Sequence, residues 1–171
     1  MARNVEIKAR IASIDALLPR VLALADGPPE LIAQDDTFFA CAQGRLKLRT
    51  FAPDHGELIA YDRPDSEGPK TSNYRITPTS TPDALRTTLA RALGETGRVK
   101  KLRTLFLVGR TRVHLDRVVD LGDFLELEVV LREDEAAEHG VDEAHGLLRR
   151  LGVLPDQCVA VAYIDLLRGE P

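Results

Sequence analysis

Cysteine is scarce in this sequence: Cys41 and Cys158 stand far apart and form no CxxC pair. That argues against a disulfide framework and suits a thiol-reducing compartment. Long apolar runs are missing too. None approaches the length needed to span a bilayer, and the opening MARNVEIKAR has no apolar signal-peptide core. The expected location is the cytoplasm, with no membrane partner. Positive charge is not in excess. The net charge is −4, which disfavours a general nucleic-acid binder, since such binding rests on a basic surface. Internal repeats and low-complexity segments are absent. Gly68-Pro69-Lys70-Thr71 offers only the end of a P-loop, and the remainder is missing, so Walker-type binding is excluded.

What is present is enough for a core. The chain has 171 residues, 44% apolar and 29% charged, which predicts one folded domain over residues 1–171. Asn4 to Ile11 alternates polar and apolar, the period of a strand with two different faces. Ser13 caps a helix running to about Ala25, ended by Gly27-Pro28-Pro29. Strands follow over Leu31–Ala42, Arg45–Arg49, Glu57–Arg63 and Lys70–Pro78. Thr81-Pro82-Asp83 opens a second helix that stops at Gly94. Strands over Arg98–Val108, Arg110–Val119 and Phe124–Arg132 precede a third helix over Glu135–Leu151 and a short one over Val159–Leu167. Neighbouring strands in such runs predict an α+β fold, an antiparallel sheet or barrel with helices packed outside.

The strand faces are unusually charged. Arg45, Lys47 and Arg49 share one face of their strand. Arg110, Arg112, His114 and Asp116 share another, and Glu126 and Glu128 oppose Leu125, Leu127 and Val129. One reading is the solvated side of a half-buried sheet. The other is a closed barrel with a charged interior. Like charges repeating along one strand favour the second, provided an anion offsets them. The carboxylates would then need a cation.

These residues fall in an ordered set of motifs. Asn4-Val5-Glu6-Ile7-Lys8 resembles ExExK, with Asn for the first Glu. Asp36-Thr37-Phe38-Phe39, Leu46-Lys47-Leu48-Arg49, Arg63 within Tyr61-Asp62-Arg63-Pro64, and Lys101-Leu102-Arg103 follow. Then come Asp116, Gly122-Asp123-Phe124-Leu125-Glu126-Leu127-Glu128, and Ala162-Tyr163-Ile164-Asp165-Leu166-Leu167, where Ala replaces Ser. Along nearly its whole length the chain resembles the CYTH, or triphosphate tunnel metalloenzyme, superfamily. That superfamily includes class IV adenylate cyclases, thiamine triphosphatases and inorganic tripolyphosphatases, and the likeness is nearest the class IV adenylate cyclase-like branch.

The resemblance implies a closed eight-stranded antiparallel barrel forming a tunnel, a small-molecule triphosphate substrate, and a family-level expectation of a homodimer. It implies Mg²⁺ or Mn²⁺ held by Glu6 and Glu126 with help from Glu128, hard oxygen ligands for hard cations. Lys8, Arg45, Lys47, Arg49, Arg63, Lys101, Arg103, Arg110 and Arg112 would cradle the phosphates, with Lys8, Arg103 and Asp116 acting at the reaction itself. Hydrolysis would use water as nucleophile; cyclisation of ATP would use the ribose 3′-OH. Lys70 is a candidate cover for the tunnel mouth and His114 a minor participant. Tyr163 either packs or touches substrate. Asn4 leaves three outcomes open: a single metal, an amide oxygen as ligand, or binding without much turnover.

Overall fold

The computed structural model describes residues 2–62 and 69–169. Its elements run in the expected order: β1 (Ala2–Arg10), α1 (Ile14–Leu24), β2 (Glu30–Phe39), β3 (Arg45–Ala52), β4 (His55–Asp62), β5 (Lys70–Thr79), α2 (Pro82–Leu93), β6 (Glu95–Val108), β7 (Thr111–Val118), β8 (Gly122–Val130), α3 (Ala137–Leu151) and α4 (Tyr163–Leu167). All eight strands form one closed antiparallel barrel in the order β1-β5-β4-β3-β2-β6-β7-β8, with β8 returning to β1. Lys47, Arg49, Arg112, His114, Glu126 and Glu128 line its interior, and the solvated-sheet reading falls away.

Alternation decides which residues go where. The odd positions of β1, Val5, Ile7 and Ala9, point out of the barrel and are buried under helices. With Val113, Leu115, Leu125, Leu127 and Val129 of β7 and β8 they meet Leu17 and Val21 of α1 and Ala144, Leu147, Leu148 and Leu151 of α3. The main apolar core thus lies between the outside of the barrel and two helices, which leaves the inside for polar groups. Gly140 lets α3 lie close: a Cβ there would stand 2.8 Å from both Val5 and Leu131 side chains. A second cluster, including Phe38, Val99, Phe124, Tyr163 and Ile164, joins α4 to one end of the barrel. At Gly97 of β6 a Cβ would collide with Ile164, so α4 too needs a glycine beneath it.

Two helix boundaries differ from the sequence-based expectation, for visible reasons. The third helix begins at Ala137 rather than Glu135, because the Glu135 carboxylate accepts the Arg132 backbone N–H at 3.0 Å and pairs with Arg110, which holds a turn there. Of residues 159–167 only Tyr163–Leu167 is helical. β5 pairs with β1 only as far as Lys70 opposite Glu6, so the edge of β1 beyond it needs a partner. Cys158 bridges Ala9, and Val159 N–H donates to the Lys8 carbonyl at 2.9 Å. Among the described residues no helix is long and apolar enough to cross a membrane.

Candidate functional site

The barrel encloses a cavity of about 280 Å³ lined by residues from all eight strands and from α4. Two basic pairs define its middle. On β3, Lys47 and Arg49 are two residues apart and share Asp36 of β2: Arg49 donates two bonds of 2.7 Å and Lys47 one of 3.0 Å. On β6, Lys101 and Arg103 repeat the arrangement around Asp116 of β7. Arg103 makes a two-pronged contact at 2.7 Å, and Lys101 stands at 3.7 Å. Strand register produces both, since Asp36 lies opposite Arg49 and Arg103 opposite Asp116.

Asp116 is fully buried, and also accepts the Tyr163 hydroxyl at 2.8 Å. Burial alone would raise its pKa, but Arg103 and Lys101 outweigh that and hold it well below the usual carboxylate range. Asp36 is lowered likewise by Arg49 and Lys47 against the cost of burial. Burial, then Arg103 alongside, pushes the Lys101 ammonium down to about 7. Burial, reinforced by Asp116 and Glu126, raises the Tyr163 phenol well above its ordinary value, so it stays a hydrogen-bond donor.

The third feature is a carboxylate pair. Glu126 and Glu128 sit two apart on the inner face of β8. Glu126 stands 3.5 Å from Lys8 Nζ and accepts from Arg103 at 3.1 Å. Glu128 accepts from Arg112 at 2.8 Å. Burial opposes their charge, yet Lys8 for Glu126 and the facing His114 for Glu128 lead the opposing groups that lower both pKa values. Both are therefore anionic oxygen donors at neutral pH. His114, opposite Glu126 in register, completes a group whose ligand atoms all lie within 4.8 Å of one another. Glu6 lines the same cavity but stands outside that group.

Most of the sequence-predicted residues converge here: Glu6, Lys8, Lys47, Arg49, Lys101, Arg103, Arg112, Glu126 and Glu128 line the cavity, with Asp116 behind its wall. Two of the predicted residues lie elsewhere. Arg110 does not face the cavity. It sits in the turn before β7, outside the strand's alternation, and pairs with Glu135 and with Glu143 of α3 on the outside of the barrel. Arg45 has the right parity but pairs with Asp165 of α4 at 2.9 Å, at the end that α4 covers, and is absent from the cavity wall. Arg63 lies outside the described residues. Lys70 donates to the Ala160 carbonyl, at the end where α4 packs. Among the wall residues given no role on the sequence are the polar Gln34, Asp36, Ser72 and Tyr74. Their signal was the inward parity of β2 and β5, legible only once the faces are known.

The CYTH domain model matches residues 2–163. The chain belongs to the CYTH domain family. A curated relative in this family's company is the adenylate cyclase CyaB of Aeromonas hydrophila, 26% identical over 95% of this chain and 87% of the relative. Among solved structures, protein PH1012 of Pyrococcus horikoshii superposes with a TM-score of 0.83 at 21% identity, covering 95% of this chain and 98% of that one. A putative adenylate cyclase from Vibrio parahaemolyticus gives 0.76 at 21%, covering 96% and 97%. At these identities the solved structures bear on the fold, and the CYTH barrel is what they share with this chain.

Proposed function

We propose that this protein is a divalent-metal-dependent enzyme that binds a triphosphate-bearing substrate inside the barrel and hydrolyses it. The observation that carries this reading is the charge balance of the cavity. Among the described residues, six basic side chains (Lys8, Lys47, Arg49, Lys101, Arg103 and Arg112) face five carboxylates, Glu6, Asp36, Asp116, Glu126 and Glu128. These described groups almost cancel, so a substrate with several negative charges needs a further cation beside it. Glu126 and Glu128, with Glu6, would hold that ion. The fit is supported by buried polar atoms without partners in the same wall, Asn4 Oδ1 and His114 Nδ1. A bound Mg²⁺ or Mn²⁺ would neutralise phosphate charge and polarise the reacting phosphorus.

The chain's own residues do the rest. Lys47, Arg49, Lys101 and Arg103 are held by their carboxylates with ends toward the cavity, so they receive phosphate oxygens without reorganising. Lys8 packs over the Tyr163 ring, 4.0 Å from its centroid, and reaches the same space. Asp116 is a positioning residue: its oxygens are committed to Arg103 and Tyr163, and it acts through them. Asn4 is a neutral oxygen donor aimed into the cavity. A second reading, cyclisation of a nucleoside triphosphate, is favoured by one observation. Ile32, Ile59, Ile76 and Tyr74 make an apolar stretch of the same wall, suited to a nucleobase.

Tripolyphosphate should raise the melting temperature, and the rise should shrink as salt increases. A panel of tripolyphosphate, thiamine triphosphate and ATP with Mg²⁺ or Mn²⁺, followed by product identification, separates the readings. Phosphate release supports the hydrolase and a cyclic nucleotide the second reading. A thermal shift with no turnover on any substrate leaves a polyphosphate-binding protein, and no shift at low salt removes the cavity as the site.

Lys101 supplies a test by proton count. Above its pKa of about 7 the free protein holds it mostly uncharged, and a polyanion in the cavity favours the ammonium form. Binding of tripolyphosphate at a pH roughly one unit higher should therefore take up protons at this side chain. Calorimetry in buffers of different ionisation enthalpy should show an uptake that Lys101→Met reduces by a large part of one proton. Equal uptake in both proteins would place Lys101 away from the phosphates.

A further inference from the structure

We propose that His114 is a nitrogen ligand in this metal site, and that with Glu126 and Glu128 it makes the site select a first-row transition ion over Mg²⁺. The inference rests on the metal-dependent reading above and goes beyond it by naming the ion class and the residue that chooses it. His114 lies in the middle of β7, directly opposite Glu126, with Glu128 two residues along on the same face. It is 3% exposed. Its Nδ1 stands 3.5 Å from Glu126 Oε1 and 3.8 Å from Glu128 Oε1, and makes no hydrogen bond.

Those distances are too long for N–H···O bonds, which cluster near about 2.9 Å. They suit two ligands on a common ion. With bonds of about 2.2 Å, ligand atoms on one ion stand at most about 4.4 Å apart: both His–Glu distances already meet that limit, and the group as a whole, within 4.8 Å, needs at most a few tenths of an ångström of closure. The nitrogen sits at nearly equal distance from both carboxylates, close enough to pair with them as imidazolium in the metal-free protein and placed for its neutral form to share an ion with both. Each glutamate also turns its Oε1 toward the imidazole. Glu128 Oε2 accepts from Arg112, and Lys8 lies nearest Oε2 of Glu126. Arg103 does share Oε1 of Glu126 at 3.1 Å, so that oxygen has one firm partner and room for another.

Chemistry then selects the ion. Mg²⁺ takes oxygen ligands in a strict octahedron and keeps its waters. Imidazole suits Fe²⁺, Ni²⁺, Cu²⁺ and Zn²⁺, while carboxylate suits Mg²⁺ and Mn²⁺; of the last two, Mg²⁺ is the one bound to a strict oxygen octahedron, so Mn²⁺ is the mildest probe of a nitrogen ligand here. A site with one imidazole and two carboxylates inside a nearly neutral cage discriminates against Mg²⁺ more than an all-oxygen site would.

The test uses the whole protein and Mn²⁺ itself. Echo-modulation electron spin resonance of bound Mn²⁺ should show a directly coordinated nitrogen, altered by ¹⁵N-histidine labelling and lost in His114→Gln. Calorimetry should find Mn²⁺ affinity lower by about tenfold or more in His114→Gln, since even outer-shell partners act on that scale, with a smaller change for Mg²⁺. His114→Asn, also tested and checked for an unchanged melting profile, guards against a variant that fails to fold. Bound Mn²⁺ without nitrogen coupling, or an unchanged Mn²⁺-to-Mg²⁺ preference in folded variants, overturns the role of His114 and leaves the metal-dependent reading standing. Failure to bind Mn²⁺ even with tripolyphosphate present, together with no turnover, overturns both.

Discussion

Glu126→Gln should lower metal-dependent turnover by at least about a hundredfold, the scale on which single transition-state charges act, without weakening tripolyphosphate binding in the absence of metal. Gln matches Glu in shape and keeps an acceptor for Arg103, which the wild type holds at 3.1 Å. What it lacks is the anionic oxygen. Lys8 and His114 both stand 3.5 Å from this carboxylate, and the surrounding cations keep it ionised. Removing its charge leaves the cage more positive, which favours a polyanion and disfavours a cation. The expected signature is therefore a split: turnover falls while metal-free ligand affinity holds or rises. Melting should drop by a few degrees at low salt and recover with tripolyphosphate. A variant with full Mg²⁺- or Mn²⁺-dependent activity would take Glu126 out of the metal site.

Asp116→Ala should act mainly on stability. Asp116 is fully buried among Arg103, Lys101 and Tyr163. Cutting it to Ala takes the two-pronged partner from a buried guanidinium and leaves it only Glu126 at 3.1 Å; breaking a buried pair typically costs about 3 to 5 kcal/mol. For a chain of this size that is a melting temperature lower by about 10 °C. Turnover should fall as well, because Arg103 loses the fork that aims it. The pH dependence has a definite sign. The folded carboxyl of Asp116 titrates well below its unfolded value, so its stabilisation is present above the unfolded carboxylate range and is lost as pH falls toward the folded value. The stability difference between wild type and Asp116→Ala should therefore narrow on acidification. An Asp116→Ala protein melting within two or so degrees of wild type at neutral pH would show that this network contributes little.

Strand and helix order was legible because alternation and caps are local signals. Val5, Ile7 and Ala9 against Asn4, Glu6 and Lys8 already separate the two faces of β1, and Gly94 already ends α2. The closed eight-stranded barrel came from the motif set, not from the alternation, which fits an open sheet equally well. Boundaries slipped where a side chain overrode the local signal, as Glu135 does by fastening the turn before α3.

Within the site, parity alone placed Arg110 beside Arg112 and Arg45 beside Lys47, and in both pairs one member is elsewhere. Gly109, with a φ of 58°, turns the chain before β7 starts, so Arg110 never enters the alternation and finds two carboxylates outside the barrel. Arg45 stays in its strand but meets Asp165 on a helix more than a hundred residues later.

By itself the sequence determined which side chains alternate along each strand, and with them the stock of cations and carboxylates available to a closed interior. The tertiary structure alone decided who meets whom. His114 faces Glu126, and Asp116 takes the Tyr163 hydroxyl, because register and the docking of α4 are set by burial summed over many distant contacts. No local run of residues carries that sum.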